Sequence, residues 1–225
     1  MSADRPDAVT PDAVAPAPTV PAPTVPAPTV PAPTVPAALS RAPVADVALV
    51  ATFAAFLVVC TVLLALPVPG GSVPVTLQTF AVMLAGVLLG PRRGALAVLL
   101  YLVVGFAGLP VFAQGRGGLA VLGAASAGYL LAFVPGAAAA GWLTRLRRVP
   151  RTWLPAVVLG ATTAATVLVV YPIGIAVMAA RTGLSAGEAI VAGAAFLPFD
   201  VVKNVLVAIV AAAVFRAFPD MLERR

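Results

Sequence analysis

The chain has 225 residues, of which 61% are hydrophobic and 10% charged, with a mean hydropathy of +1.07 and a formal net charge of +6. Soluble domains are about 45–50% apolar and about 25% charged, so a chain this apolar needs lipid as its solvent. That excludes a cytosolic enzyme, a secreted domain and a nucleic-acid-binding module. It has no histidine and one cysteine, Cys60, which removes every histidine-based triad or metal site and any disulfide within the chain.

Residues 1–42 form a separate region. Four consecutive copies of Pro-Ala-Pro-Thr-Val run from Pro16 to Val35. Prolines at this spacing fix φ and remove backbone donors, so the segment is expected to be a disordered, polyproline-like tail. From residue 43 to 225 the chain reads as one all-α integral membrane domain. A bilayer-spanning helix takes about 20 apolar residues. Six runs qualify: Val44–Leu66, Val73–Gly90, Ala95–Ala113, Leu119–Trp142, Leu154–Ala180 and Pro198–Phe218. The stretch from Thr182 to Leu197 reads as a short surface helix. Placing both termini in the cytoplasm puts eleven arginines inside and leaves only Arg116 and Arg181 outside, as the positive-inside rule requires. Trp142 and Trp153 flank the basic loop Arg145–Arg151, where interfacial tryptophans are expected.

Charges inside a membrane are costly and mark functional sites by default. The last run supplies Asp200 and Lys203 in Phe-Leu-Pro-Phe-Asp-Val-Val-Lys, and Lys203 is the sole lysine. Three residues apart, they share a helix face. Pro198 suits a first helical turn, which sets Asp200 near the helix N-terminus, where the dipole favours an anion. The pair is either a structural salt bridge or a ligand-binding site opening outward. Two outer links add neutral polar groups: Thr76 and Gln78 in the Pro/Gly-rich segment Leu66–Phe80, and Gln114, Ser126 and Tyr129 around the glycine-rich segment Gly108–Gly118. On the first run, Ala51 and Ala55 form a small-xxx-small pair that lets another helix approach closely in lipid. No P-loop is present, because Lys203 lacks the GxxxxGK[ST] setting. Any uphill transport therefore draws its energy from a partner.

Taken in order, Val73-Pro-Val-Thr-Leu-Gln-Thr-Phe80, Leu88-Leu-Gly-Pro-Arg-Arg-Gly94, Tyr101, Gly105-Phe-Ala-Gly-Leu-Pro-Val-Phe112, Gly128-Tyr129 and Phe199-Asp-Val-Val-Lys203 resemble the BioY family. These are the biotin-specific substrate-binding (S) components of energy-coupling factor (ECF) transporters, a class of ABC transporter. The resemblance covers about residues 44–218 and leaves out the repeats. It implies a six-helix protein of the plasma membrane that captures biotin from outside and works with a transmembrane coupling protein and two cytoplasmic ATPases. Asp200 and Lys203 match the family's ligand contacts in the last helix. Thr76, Gln78 and Tyr129 match recurring motif positions, and Gln114 joins them as a candidate. Ala51 and Ala55 match the family's docking surface for the coupling protein. Where relatives often read Gly-Pro-Thr before the Gly-Tyr pair, this chain reads Gly123-Ala-Ala-Ser-Ala, and Arg116 has no counterpart role.

Biotin's chemistry fits these residue types. Its ureido ring offers two N–H donors to a carboxylate such as Asp200, and its valerate carboxylate suits an ammonium such as Lys203. No cofactor, metal or nucleic acid is implied. Three other readings keep their place: an S component for another small vitamin, an intramembrane enzyme using Asp200 and Lys203 as acid and base, and an assembly protein that docks through Ala51 and Ala55 without a ligand.

Overall fold

The computed structural model describes residues 41–66, 73–145 and 150–218. The chain divides into two units, Met1–Leu39 and Ser40–Arg225. The first lies outside the described residues, so the repeat tail does too, as do Arg5, Arg147, Arg148, Arg224, Arg225 and residues 67–72 of the first outer link.

Among the described residues, seven helices build the second unit: α1 (Arg41–Leu63), α2 (Gln78–Leu89), α3 (Pro91–Phe106), α4 (Ala127–Arg145), α5 (Leu154–Thr182), α6 (Ala186–Ala194) and α7 (Leu197–Ala217). A two-residue strand, β1 (Ala65–Leu66), pairs antiparallel with β2 (Val75–Thr76), setting Ala65 opposite Thr76 and Leu66 opposite Val75. Four of these helices are long and apolar enough to cross a membrane: Val44–Leu63 in α1, then α4, α5 and α7. Twelve-residue α2 and sixteen-residue α3 are shorter.

Four of the expected runs need correction. The second does not start helical at Val73. Pro74 has no N–H to give and holds Val73 extended, and Val75–Thr76 pair with β1, so α2 begins at Gln78. The third run begins earlier, at Pro91, which suits a first helical turn. It ends at Phe106 rather than Ala113, because Gly108 takes a φ of +112° and Pro110 follows. The fourth starts at Ala127. Residues Leu119–Gly123 are a separate 3₁₀ turn. Apolar composition extends through these links, where Val73, Val75, Val111, Phe112 and Val121 are buried against the bundle, and hydropathy alone does not separate apolar loop from helix.

The first run stops being helical at Leu63, since Ala65–Leu66 pair with β2; the remaining elements fall where expected. α7 carries Pro198 in its first turn. The short helix between Thr182 and Leu197 is α6, opened by a capping box: the Ser185 backbone N–H donates to Glu188 Oε2 at 2.9 Å, and Glu188 N–H donates to Ser185 Oγ at 3.4 Å. Hydrogen bonds from Ser185, the side-chain one first, hold the exposed Glu188 carboxyl below its ordinary pKa.

Helices α2 and α4 form the centre. α2 packs against α1, α3, α4 and α7, and α4 against α2, α3 and α5. Their backbones touch: a Cβ on Gly86 would lie 2.2 Å from the Ala137 carbonyl oxygen, and one on Gly141 2.4 Å from that of Gly86. Small residues of this kind let helices associate by close packing where lipid removes the hydrophobic drive. The outer faces are apolar. Val44, Val47, Val59, Val62 and Leu63 of α1, Val103 of α3, Leu168 of α5 and Ile209 of α7 are each more than half exposed. Apolar surface this extensive is stable only against lipid or another protein.

Midway along α5 the helix widens into one π-turn, Thr166–Val170. Pro172 lies just beyond and cannot donate the next backbone hydrogen bond. A π-turn rotates the residues after it and is often found at functional sites. Here Tyr171 is the first residue beyond the turn and faces α7.

Candidate functional site

At the end of the bundle where α2, α4 and α7 begin, a cavity is walled by the segment before α2, the α3–α4 link, the start of α4, the middle of α5 and the start of α7. Counting the open solvent at its mouth, the space is about 670 Å³. Phe112, Phe133, Val121, Leu130 and Phe196 supply apolar wall; Thr76, Gln78, Tyr129, Tyr171, Asp200 and Lys203 supply the polar groups, with Arg116 and Ser126 on the link that covers one side.

Asp200 and Lys203 sit one turn apart at the start of α7, with side chains only 6% and 8% exposed. The Lys203 ammonium donates to Asp200 Oδ1 at 2.8 Å, and the Tyr171 hydroxyl donates to Asp200 Oδ2 at 2.8 Å. The carboxylate is thus held from both sides, and the pair still lines the cavity. One turn further on, Asn204 donates to Thr166 Oγ1 at 3.4 Å and stitches α7 to the π-turn.

On the opposite wall, Thr76 Oγ1 donates to Gln78 Oε1 at 3.0 Å, and Gln78 Nε2 donates to the Tyr101 hydroxyl at 2.7 Å. That hydroxyl donates in turn to the Val111 carbonyl at 3.2 Å. The chain of bonds orients the Gln78 amide and ties the segment before α2 to the α3–α4 link. Phe112 is buried beneath that link, edge-on to Tyr101 at 5.5 Å. Tyr129, on the first turn of α4, packs edge-on to Phe196 at 6.1 Å. Its buried hydroxyl makes no hydrogen bond to the protein. The hydroxyl is enclosed beside Gly193 of α6, and leaving such an atom unpaired costs about 1–3 kcal/mol, which makes it a candidate partner for a ligand.

The structure therefore brings Asp200, Lys203, Tyr129, Gln78 and Thr76 to one cavity. Gln114 is not on its wall: the side chain is exposed and accepts a hydrogen bond from Arg116 at 3.0 Å. Link geometry explains the shift, because Gln114 has a left-handed backbone (φ 61°, ψ 28°). Ala51 and Ala55 are exposed on the outer face of α1, away from the cavity. Tyr171 is a wall residue that the sequence does not single out. Its local signal is a Tyr-Pro step inside a long apolar run, and the π-turn that aims it is a tertiary feature. Among the described residues, no three or more Cys, Asp or Glu side chains come together to hold a metal.

The cationic ends lie opposite. Arg92 and Arg93 open α3, Arg145 closes α4 and reaches the α2 terminus at the Leu89 carbonyl (3.5 Å), and Arg93 pairs with Asp46 at 2.7 Å. An apolar exterior, one basic end and a capped polar cavity at the other define a membrane transport protein that receives a small solute.

Which one is settled by comparison. A family model described as the BioY family matches residues 32–220, and the chain belongs to that family. It is 39% identical over 183 residues to the biotin transporter BioY of Rhizobium etli, covering 77% of this chain and 95% of that protein. It is 38% identical over 193 residues to the biotin transporter BioY of Rhodobacter capsulatus, covering 80% and 98%. The fold is similar to a crystal structure of the S-component for biotin from an ECF-type ABC transporter, with a TM-score of 0.69 at 24% identity over 79% of this chain and 94% of that one. These relatives are named as transporters, not enzymes.

Proposed function

We propose that this chain captures biotin at the outer face of the plasma membrane and delivers it inward as the S component of an ECF-type transporter. The observation that carries this reading is the Asp200–Lys203 pair, buried, hydrogen-bonded by Tyr171 and still lining a capped cavity, in a chain whose relatives are named for biotin transport. A purely structural ion pair gains nothing from facing a cavity.

The ureido ring lies at the start of α7. Its N–H groups donate to the Asp200 carboxylate, and its carbonyl accepts from the Lys203 ammonium. Charge-assisted hydrogen bonds of this kind are roughly twice as strong as neutral ones. Phe112, Phe133 and Phe196 enclose the apolar thiophane ring, and the Tyr129 hydroxyl and the Gln78 amide complete the polar contacts. Loop backbone at this depth is tolerated because it faces protein and cavity rather than lipid.

In this reading the bundle crosses the membrane six times. The short helix α2 completes its crossing together with the extended segment before it, and α3 makes its own with the start of the link beyond it. Both termini are cytoplasmic, as the arginine distribution asks. The partners are a transmembrane coupling protein, which docks on the Ala51–Ala55 face of α1, and two cytoplasmic ATPases that supply the energy this chain has no motif to provide.

Calorimetric titration of the purified protein in detergent with biotin, and separately with other small water-soluble vitamins, tests the reading. Saturable one-site binding of biotin in preference to the others is expected. Preference for a different vitamin refutes it.

A further inference from the structure

Among the described residues, three ionic side chains line the cavity, and they do not balance. Asp200 and Lys203 neutralise each other at 2.8 Å. Arg116 remains. Its Nη2 donates to the Gln114 amide oxygen at 3.0 Å, a neutral partner, and no carboxylate pairs with it among the described residues. The cavity therefore carries one uncompensated positive charge, and that charge sits on the α3–α4 link, not on α7.

The link is built to hold Arg116 there. The Phe112 N–H donates to the Arg116 carbonyl at 2.9 Å, and Gly115 N–H to the Phe112 carbonyl at 3.1 Å, closing a tight loop on the buried Phe112 ring. Within that loop Gln114 adopts a left-handed backbone, a conformation that costs a non-glycine residue energy and concentrates at functional sites. Its side chain meets the guanidinium. One N–H of Arg116 is thereby used, and a guanidinium has five, in a planar fork that matches a carboxylate. The Asp200–Lys203 pair, by contrast, has each charge already answered. It suits a neutral group that both donates and accepts.

We infer that Arg116 is the residue that recognises the ligand's carboxylate, so that the acid tail lies under the α3–α4 link and the neutral ureido head at Asp200 and Lys203. The inference rests on the biotin reading and deepens it. It moves the acid contact away from Lys203, where the residue types alone would put it.

The test compares biotin with its uncharged methyl ester on wild-type, Arg116→Gln, Arg116→Lys and Lys203→Met proteins in detergent. Wild type is expected to prefer the acid. Arg116→Gln weakens biotin about 10- to 100-fold while ester affinity stays within about twofold, which erases the preference; Arg116→Lys, a single charge without the fork, restores part of it. Biotin affinity of the wild type falls with added NaCl, as a partly exposed charge at the mouth requires, and that of Arg116→Gln does not. Lys203→Met weakens acid and ester together. An unchanged melting temperature of Arg116→Gln confirms an intact fold. The assignment is overturned if Arg116→Gln keeps the acid preference, or loses acid and ester equally, or if Lys203→Met alone erases the preference. Wild-type protein that binds neither probe overturns the biotin reading itself, and this assignment with it.

Discussion

Lys203→Met removes one half of the buried ion pair and leaves the other in place. Asp200 would keep the Tyr171 hydroxyl at 2.8 Å but lose its countercharge. Side chains this enclosed, 6% and 8% exposed, gain little relief from solvent, and stranding one partner of such a pair costs about 3–5 kcal/mol. The single variant is expected to melt well below wild type in detergent. The double variant Asp200→Leu, Lys203→Met strands nothing. Replacing a buried pair by apolar residues of similar volume is typically neutral or stabilising by about 1–4 kcal/mol, so its melting temperature should return to wild type or exceed it. Binding is expected to behave differently. The single variant loses the charge-assisted contact from Lys203 to the ureido ring and the double variant loses that of Asp200 as well, each worth about 1.5–3 kcal/mol. One loss weakens biotin at least about 10-fold and the two together at least about 100-fold, since 1.4 kcal/mol is a factor of ten. Thermal melting and calorimetry on the same samples read the two effects separately. A double variant that melts like wild type and still binds biotin at wild-type affinity refutes the reasoning, because the pair would then be structural alone.

Tyr129→Phe removes a hydroxyl that makes no hydrogen bond to the protein. The unliganded protein should be as stable as wild type or slightly more so, while biotin affinity falls about 2- to 12-fold, the range of one ordinary hydrogen bond; unchanged affinity excludes the hydroxyl from the ligand shell. Ala51→Leu with Ala55→Leu adds bulk to the exposed face of α1 and is expected to reduce copurification with the coupling protein without altering biotin affinity, and undiminished assembly removes the docking role from that face. The Glu188 carboxyl is held below its ordinary pKa by Ser185. A lowered folded-state pKa gives stability that is present above the unfolded carboxylate value and is lost as pH falls through the folded one. Hydrogen exchange in the first turn of α6 should therefore accelerate, relative to the intrinsic rate, as the pH drops below about 4.3; Glu188→Gln should flatten that dependence, and an equal acid response in both proteins refutes the capping account.

The range of the forces involved decides how much of this protein is legible in residue order. Membrane residence is a sum over composition: apolar runs partition into lipid whatever they pack against. Proline and glycine act on their own backbone and one neighbour, so the start of α7 beside Pro198 and a short helix between Thr182 and Leu197 can be read locally. Asp200 and Lys203 stand out because an isolated charge in an apolar helix is expensive wherever it ends up, and their three-residue spacing puts them on one face before any fold is known.

Contacts across the bundle are not local and cannot be read that way. Apolar links look like helix, which is why the runs before Gln78 and after Phe106 are overextended in a reading by hydropathy. Gln114 and Arg116 stand two residues apart on one link, yet Arg116 lines the cavity and Gln114, at the left-handed turn, does not. Tyr171 meets Asp200 from 29 residues away, through a π-turn that shifts its direction around the helix. One residue's rotation decides whether a side chain faces lipid or ligand, and that rotation is fixed by packing among helices far apart in the chain.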